Sequence, residues 1–400
     1  MKNQYCTVLF LFLALCYSGA SFGQDNRENT IELYFDKMVN LSAVRLNIFL
    51  QDKTEKLSKL SFDGTSKDGH TWLFHYPDSI YERIYIMTLT EPIKNDSIEK
   101  IITFTKIQNG DTLKTGSVVF ARKTSKPTKL RYIETEITPH VFCYDEITGK
   151  QSFKTRYDNI YMLEDTDDRE LEASLNCMYY CYSMFDLSTE DYASLLKSYI
   201  SLTEDYPDSQ RFISILSSTL STYRTRGDIE EVFRRFSGAQ QNSYFGKKVR
   251  KYLSTIHFEN SLLPSSKTGK LEPIVEDTTK FTLVVFSASW CDPCHKLIPL
   301  LKELYKKSHT KLNMVYVSMD KPETVENWKA LLKKEEIPWR SVLAADKINE
   351  VKLKYTVQAI PLLLLIKPNS IFEQIDIRRQ NDLDKLCNML GIANMKMDDK

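Results

Sequence analysis

The chain has 400 residues, 42% of them hydrophobic and 27% charged, with a formal net charge of +1. That length accommodates two or three domains with cores of their own. The balance of charge speaks against a nucleic-acid partner, and no polybasic membrane patch, repeat or low-complexity tract is present.

Residues 1–23 read as a signal peptide. Lys2 is a minimal positive start, and TVLFLFLALCY (7–17) is apolar but too short to span a bilayer as a helix. Small residues follow, and cleavage after Ala20 or Gly23 fits them. Leu13-Ala14-Leu15-Cys16 resembles a lipobox, with Leu15 where a small residue is expected, so membrane association is expected only if Cys16 is lipidated. The expected location is therefore outside the cytoplasm, in a periplasm or cell envelope, where thiols are readily oxidised. The mature chain would keep Cys143, Cys177, Cys181, Cys291, Cys294 and Cys387.

Residues 24–150 read as an all-β, sandwich-like domain. Short runs rich in β-branched and aromatic residues at 31–35, 43–50, 71–76, 83–89, 100–107 and 117–123 alternate with turn material at 63–69, 91–97 and 108–111. Residues 151–260 change to a helical period, with helices expected at 171–185, 189–202, 210–223 and 229–236. Ser188-Thr189 and Asp208-Ser209 suit N-caps, and Pro207 falls in a break. Residues 260–280 read as a linker with one edge strand.

From 261 to 400 the pattern is α/β. Apolar strands at 281–287, 313–319, 361–366 and 371–377 alternate with helices at 294–307, 325–334 and 383–390, as in a sheet covered on both faces. The chemistry lies at SASWCDPCHKLIP (287–299). Cys291-Asp292-Pro293-Cys294 is a CxxC dithiol where a strand ends and a helix begins. A helix N-terminus favours a thiolate, and the thiolate is the form that attacks disulfides. Cys291 is expected to be the exposed nucleophile and Cys294 the shielded resolving thiol. Trp290 flanks them, Pro293 suits the first helical turn, and Pro299 should kink the helix.

Trp290-Cys291-Asp292-Pro293-Cys294, with Pro299 five residues on, is similar to thioredoxin. Ala359-Ile360-Pro361 before a strand looks like the cis-proline loop of that fold. The long segment between 317 and 361 resembles the inserted helix and strand of exported TlpA and ResA-like thiol-disulfide oxidoreductases. The resemblance covers about residues 271–395. It implies a C-terminal thioredoxin fold in which Ile360 and Pro361 position a partner chain. It also implies disulfides of exported proteins as substrates, reduction as the direction, and an upstream thiol as electron donor. No cofactor or metal is expected.

Two departures stand out. Thioredoxin has an aspartate six residues before the first active cysteine, where this chain has Val285; ResA-like proteins often have a glutamate three residues after the second, where it has Leu297. Either acid would shuttle a proton to the second thiol. Asp292 and His295 are the polar neighbours left near the pair. The letters CxxCH also fit a c-type haem anchor, but the strand, Trp290, Pro299 and Ile360-Pro361 are then unexplained. A zinc site needs about four ligands, and no second pair lies near. A further reading keeps the thioredoxin fold as an idle scaffold beneath a surface-binding N-terminal part.

Cys177 and Cys181, one helical turn apart, read as core residues, although a disulfide from either to Cys143 is open. Cys387 is expected to be buried. His70, His75, His140, His257 and His309 show no ligand spacing, and Trp328 and Trp339 are expected to pack the inserted segment.

Overall fold

A computed structural model describes residues 27–37, 43–52, 56–92, 99–108, 110–133, 143–144, 151–152, 158–185 and 192–396. The expected signal peptide with Cys16, the cap at Ser188-Thr189, and the side chains of Cys143 and Cys181 lie outside the described residues.

The N-terminal part is a ten-stranded sheet. In spatial order its strands are Leu57–Asp63, Arg45–Gln51, Ile84–Pro92, Glu99–Gln108, Asp158–Asp165, Thr128–Ile133, Glu28–Phe35, Thr71–Pro77 and Thr65–Ser66, with Asp111–Thr115 paired onto Glu99–Gln108. The two end strands are consecutive in the chain. Leu57–Asp63 pairs with Arg45–Gln51, and two residues later Thr65–Ser66 pairs with Thr71–Pro77. One continuous segment, bent at Gly64, therefore joins both ends of the sheet. A Cβ at Gly64 would come within 2.5 Å of the Phe74 ring and 2.9 Å of Trp72, so the corner needs glycine. The sheet wraps a single core that includes Leu33, Phe35, Leu46, Ile48, Phe74 and Phe104. The sandwich-like expectation of two sheets is corrected: the strands pair as one sheet, and the segment bent at Gly64 links its two end strands.

The strand expected at 117–123 is absent. Val118 makes only an isolated bridge to Met87, while Val118, Val119 and Phe120 are fully buried. Helix side chains satisfy the backbone instead: Val119 N donates to Ser174 Oγ at 2.9 Å, and Ala121 N donates to the Asp168 carboxylate at 3.1 Å. The same β-branched run that suits a strand here plugs the core. The sheet also runs past the expected boundary at 150. Asp158–Asp165 is an inner strand, parallel to Glu99–Gln108 and antiparallel to Thr128–Ile133.

Helices follow at Arg169–Phe185, Tyr192–Asp205, Gln210–Ser218, Arg226–Phe233, Gly238–Asn242 and Tyr244–Ser254. Ser209 caps the third of these, accepting from Phe212 N at 3.1 Å, as expected. The last two helices were not expected. Cys177 is buried among Phe212, Leu216 and Phe245, in keeping with its reading as core. The helical layer sits on the sheet through Gln210, whose amide donates to Glu82 O and Ile84 O at 3.0 and 3.1 Å.

Two carboxylates lie buried at this junction. Asp168 accepts from Ala121 N and Leu171 N, and Glu170 accepts from Ser209 Oγ, Gln210 N and Arg211 N. Burial raises the Asp168 carboxyl to about 6 and that of Glu170 to about 7, outweighing the backbone donors that favour the charged forms.

The C-terminal part holds a five-stranded sheet in the order Arg340–Leu343, Leu312–Ser318, Phe281–Ser287, Leu362–Ile366, Phe372–Gln374. Phe281–Ser287 is parallel to Leu312–Ser318 and antiparallel to Leu362–Ile366. Alternation along the strands feeds two cores. Val284, Phe286, Val315 and Leu364 face one side; Leu283, Val285, Met314 and Leu365 face the other. Residues 260–280 are not a loose linker. Leu262–Pro264 and Leu271–Pro273 form a hairpin against the edge strand, with Ser266 N donating to Ser341 O at 2.9 Å. Leu263 and Ile274 are buried, and Arg340 pairs with Glu272 and Glu276 at 3.1 and 2.9 Å. The expectation missed it because Pro, Ser and Gly at its turn mask a short strand pair.

Trp328 is fully buried, donates to Ser341 Oγ at 2.9 Å and packs edge-on against Tyr316, and Trp339 packs on the same ring. Both pack the inserted segment as expected, and Cys387 is buried as expected. Among the described residues no helix is long and apolar enough to cross a membrane.

Candidate functional site

The strand Phe281–Ser287 delivers the chain to Ser289 and Trp290, and the helix Asp292–Lys296 starts directly afterwards. Cys291 occupies its N-cap, where its sulfur accepts from Cys294 N at 3.3 Å. This puts Cys291 Sγ at the end of the helix where unsatisfied N–H groups favour negative charge. Pro293 sits in the first turn, where a missing N–H costs nothing. Cys291 and Cys294 are joined as a disulfide, with Cα atoms 5.3 Å apart.

Both cysteines are buried, Cys291 at 4% and Cys294 at 3% exposure. The expectation that Cys291 is exposed is corrected for this oxidised state. Both cysteines belong to the buried cluster on one face of the sheet, and the carbonyl oxygen of Ile360 lies 3.7 Å from Cys291 Sγ. Trp290, in contrast, is 61% exposed, so the apolar surface beside the pair is presented by the tryptophan. Asp292 is exposed, as is Pro293.

The Ile360-Pro361 peptide is cis, as the resemblance implied, and the segment enters the strand Leu362–Ile366. Antiparallel pairing of that strand with Phe281–Ser287 places Leu362 opposite Phe286, which brings the loop to the same end of the sheet as the dithiol. Cys291, Cys294, Trp290, Ile360 and Pro361 are thus gathered in one place from segments far apart in the chain. Pro299 lies on the exposed side of the second helix, Ile298–Ser308. The expected kink is a break: the helix expected at 294–307 divides at Leu297.

Val285 and Leu297 are both buried apolar residues, so no acid occupies either proton-relay position. His295 is half-buried, and its Nε2 is buried with no hydrogen-bond partner. One polar residue at the site escaped the sequence reading. Asp320 is fully buried just beyond the strand Leu312–Ser318; its carboxylate accepts from Ser289 N and Ser318 Oγ, both at 2.9 Å, and from Ser289 Oγ. It ties the loop before Cys291 to the neighbouring strand. A buried carboxylate with three donors is a positioning element rather than a solvated charge. The signal was present: an aspartate ends an apolar parallel strand, at the end of the sheet where functional loops gather.

Comparison with known proteins bears on this region. The family described as Thioredoxin-like matches residues 279–371. Nucleoredoxin from Xenopus laevis is 37% identical over 90 residues, covering 21% of this chain and 21% of that protein. Thiol-disulfide oxidoreductase ResA from Oceanobacillus iheyensis is 32% identical over 108 residues, covering 27% of this chain and 54% of that one. This chain thus spans about a fifth of the length of the nucleoredoxins it matches. Among solved structures, a thiol-disulfide oxidoreductase from Bacteroides fragilis is 26% identical over 34% of this chain and 99% of its own, with a TM-score of 0.30. With the cysteine pair at a helix start, the cis-proline loop opposite and a sheet covered on both faces, residues 279–371 are a thioredoxin-like domain, in a C-terminal region similar to the TlpA and ResA-like proteins.

Proposed function

We propose that the chain is an exported thiol-disulfide oxidoreductase that reduces disulfides of exported proteins. The observation that carries this reading is the Cys291–Cys294 pair at a helix N-terminus with the Ile360 carbonyl 3.7 Å from Cys291 Sγ. In the reduced protein the Cys291 thiolate attacks one sulfur of a partner disulfide. A new S–S bond forms, the partner's bond breaks, and one partner thiolate leaves. The Cys294 thiolate then attacks Cys291 Sγ, closing the intramolecular disulfide and releasing the second partner thiol. Two electrons pass to the partner, and an upstream dithiol donor restores the pair. The helix start favours the thiolate at Cys291, and Cys294, one turn further into the helix, is kept for the internal step. Trp290, Ile360 and Pro361 form the surface that a partner chain meets. Export rests on residues 1–23, the reductive direction on the resemblance to ResA-like proteins, and the ResA relative supports a thiol-disulfide redox role.

Replacing the resolving thiol tests the order of steps. Cys294→Ser leaves the first attack intact and removes the second, so partners should accumulate as mixed disulfides on Cys291. Non-reducing electrophoresis of the protein exposed to a disulfide-bonded protein should show a dithiothreitol-sensitive adduct. Absence of any adduct, with Cys291 shown to be titratable, would count against the mechanism.

A further inference from the structure

The end of the helix Gln210–Ser218 and the turn that follows it are fastened to the loop that carries Ile360 and Pro361. Gln358, two residues before Ile360, spans the contact. Its Nε2 donates to Ser217 O at 2.8 Å, and its Oε1 accepts from Ser221 N at 3.2 Å. Both contacts are to backbone, so side-chain changes on the other element leave them in place. A second bond lies alongside: Gln374, in the edge strand of the same sheet, donates to Ser221 O at 2.5 Å. Beside it the Arg226 guanidinium lies 4.9 Å from the Phe372 ring centroid. Ser217 is fully buried and Leu220 is 2% exposed, so this is a packed contact and not a brush between surfaces.

The loop makes a further contact on its far side, where Ile360 O lies 3.7 Å from Cys291 Sγ. A line of contacts therefore runs from the helical region through Gln358 and Ile360 to the reactive sulfur. The loop joins the helix Ile348–Tyr355 to the strand Leu362–Ile366 and has few backbone bonds of its own: Val357 N donates to Lys352 O at 2.9 Å, Gln358 N donates to Thr356 O at 3.0 Å, and Thr356 holds a left-handed φ of 53°. Such a loop needs outside fastening to present one conformation.

We propose that Gln358 is a positioning residue and that the middle helical region is a working part of the redox site. It holds the Ile360-Pro361 loop so that the backbone of an extended partner chain meets Cys291 at a fixed distance. This rests on the disulfide-exchange reading. A small disulfide needs only the sulfur, whereas a protein disulfide also uses the loop. The clamp therefore acts on protein partners and not on the intrinsic reactivity of the pair.

The test uses the full chain with Gln358→Ala and Gln358→Met, the second keeping length and apolar bulk without either hydrogen bond. Two bonds of ordinary strength predict a KM for a protein disulfide raised about tenfold, with kcat little changed. The rate with a small aromatic disulfide should stay at the wild-type value. Amide hydrogen exchange over 356–362 should quicken severalfold in both variants. Unchanged KM and unchanged exchange would overturn the clamp, as would an equal loss with the small disulfide, which marks a general loosening of the site. A wild-type protein inert to both disulfides would sink the exchange reading, while the exchange of 356–362 would still decide whether Gln358 holds the loop.

Discussion

Cys291→Ser should reduce turnover of a protein disulfide by about a thousandfold or more, to the rate of the donor dithiol alone. A serine hydroxyl at this position is a poor nucleophile at neutral pH and cannot form a mixed disulfide. Cys294 is poorly placed to take over, because it lies inside the first helical turn, whereas Cys291 sits at the N-cap beside the Ile360 carbonyl. The loss should not come from unfolding. The disulfide links residues three apart in sequence and so closes almost no loop in the unfolded chain. Cys291 lies at the margin of the core that holds Val284 and Phe286, where serine keeps the shape of cysteine with a slightly smaller atom, and the core of Leu283 and Leu365 on the other face is untouched. Reductase assay and thermal melt on one preparation separate the two causes. Full activity in a well-folded Cys291→Ser protein contradicts the mechanism.

The second large effect is on stability and pH. Asp168 is 2% exposed with its carboxyl raised to about 6 from an ordinary 3.8, and desolvation is the first cause. The sign follows directly. The unfolded chain ionises this group near 4 and the folded chain only near 6, so its contribution is full below about 4 and is lost as pH rises through about 6. That difference corresponds to roughly 3 kcal/mol. Glu170, raised to about 7, acts in the same direction over a slightly higher range. Unfolding free energy from urea titration should therefore decline between about pH 4 and pH 7 and level off above that. Asp168→Asn keeps an oxygen for Leu171 N and Ala121 N and remains a good N-cap. It should flatten much of that decline and stabilise the protein at pH 8 by about 2 kcal/mol. A slope identical to wild type would show that the carboxylate is not the group responsible.

The legibility of this molecule in its sequence varies along the chain, for physical reasons. FTLVVFS and VENWKALLKK appear as the strand Phe281–Ser287 and the helix Val325–Lys334 at the residues expected, because a doubly covered strand and an amphipathic helix leave strong local patterns. The dithiol, its proline and the Ile360-Pro361 loop carry their chemistry in adjacent letters. What adjacent letters cannot carry is distance. Asp320 meets Ser289 across 31 residues, and Gln358 meets Ser217 across 141; nothing in either stretch alone announces the contact. The β character of the N-terminal part is legible, but Val118, Val119 and Phe120 read as a strand because burial and pairing favour the same residues. The link between the end strands at Gly64 depends on which strand lies beside which, and periodicity does not encode that.

The most direct test is a redox titration of the purified protein against thiol-disulfide buffers, followed by the fluorescence of Trp290 and its neighbours. The account predicts a reversible two-electron transition that disappears in Cys291→Ser, with a midpoint negative enough for a reductase. The absence of a transition under conditions where the fold is intact would mean that the Cys291–Cys294 pair does not cycle, and the proposed function would fall with it.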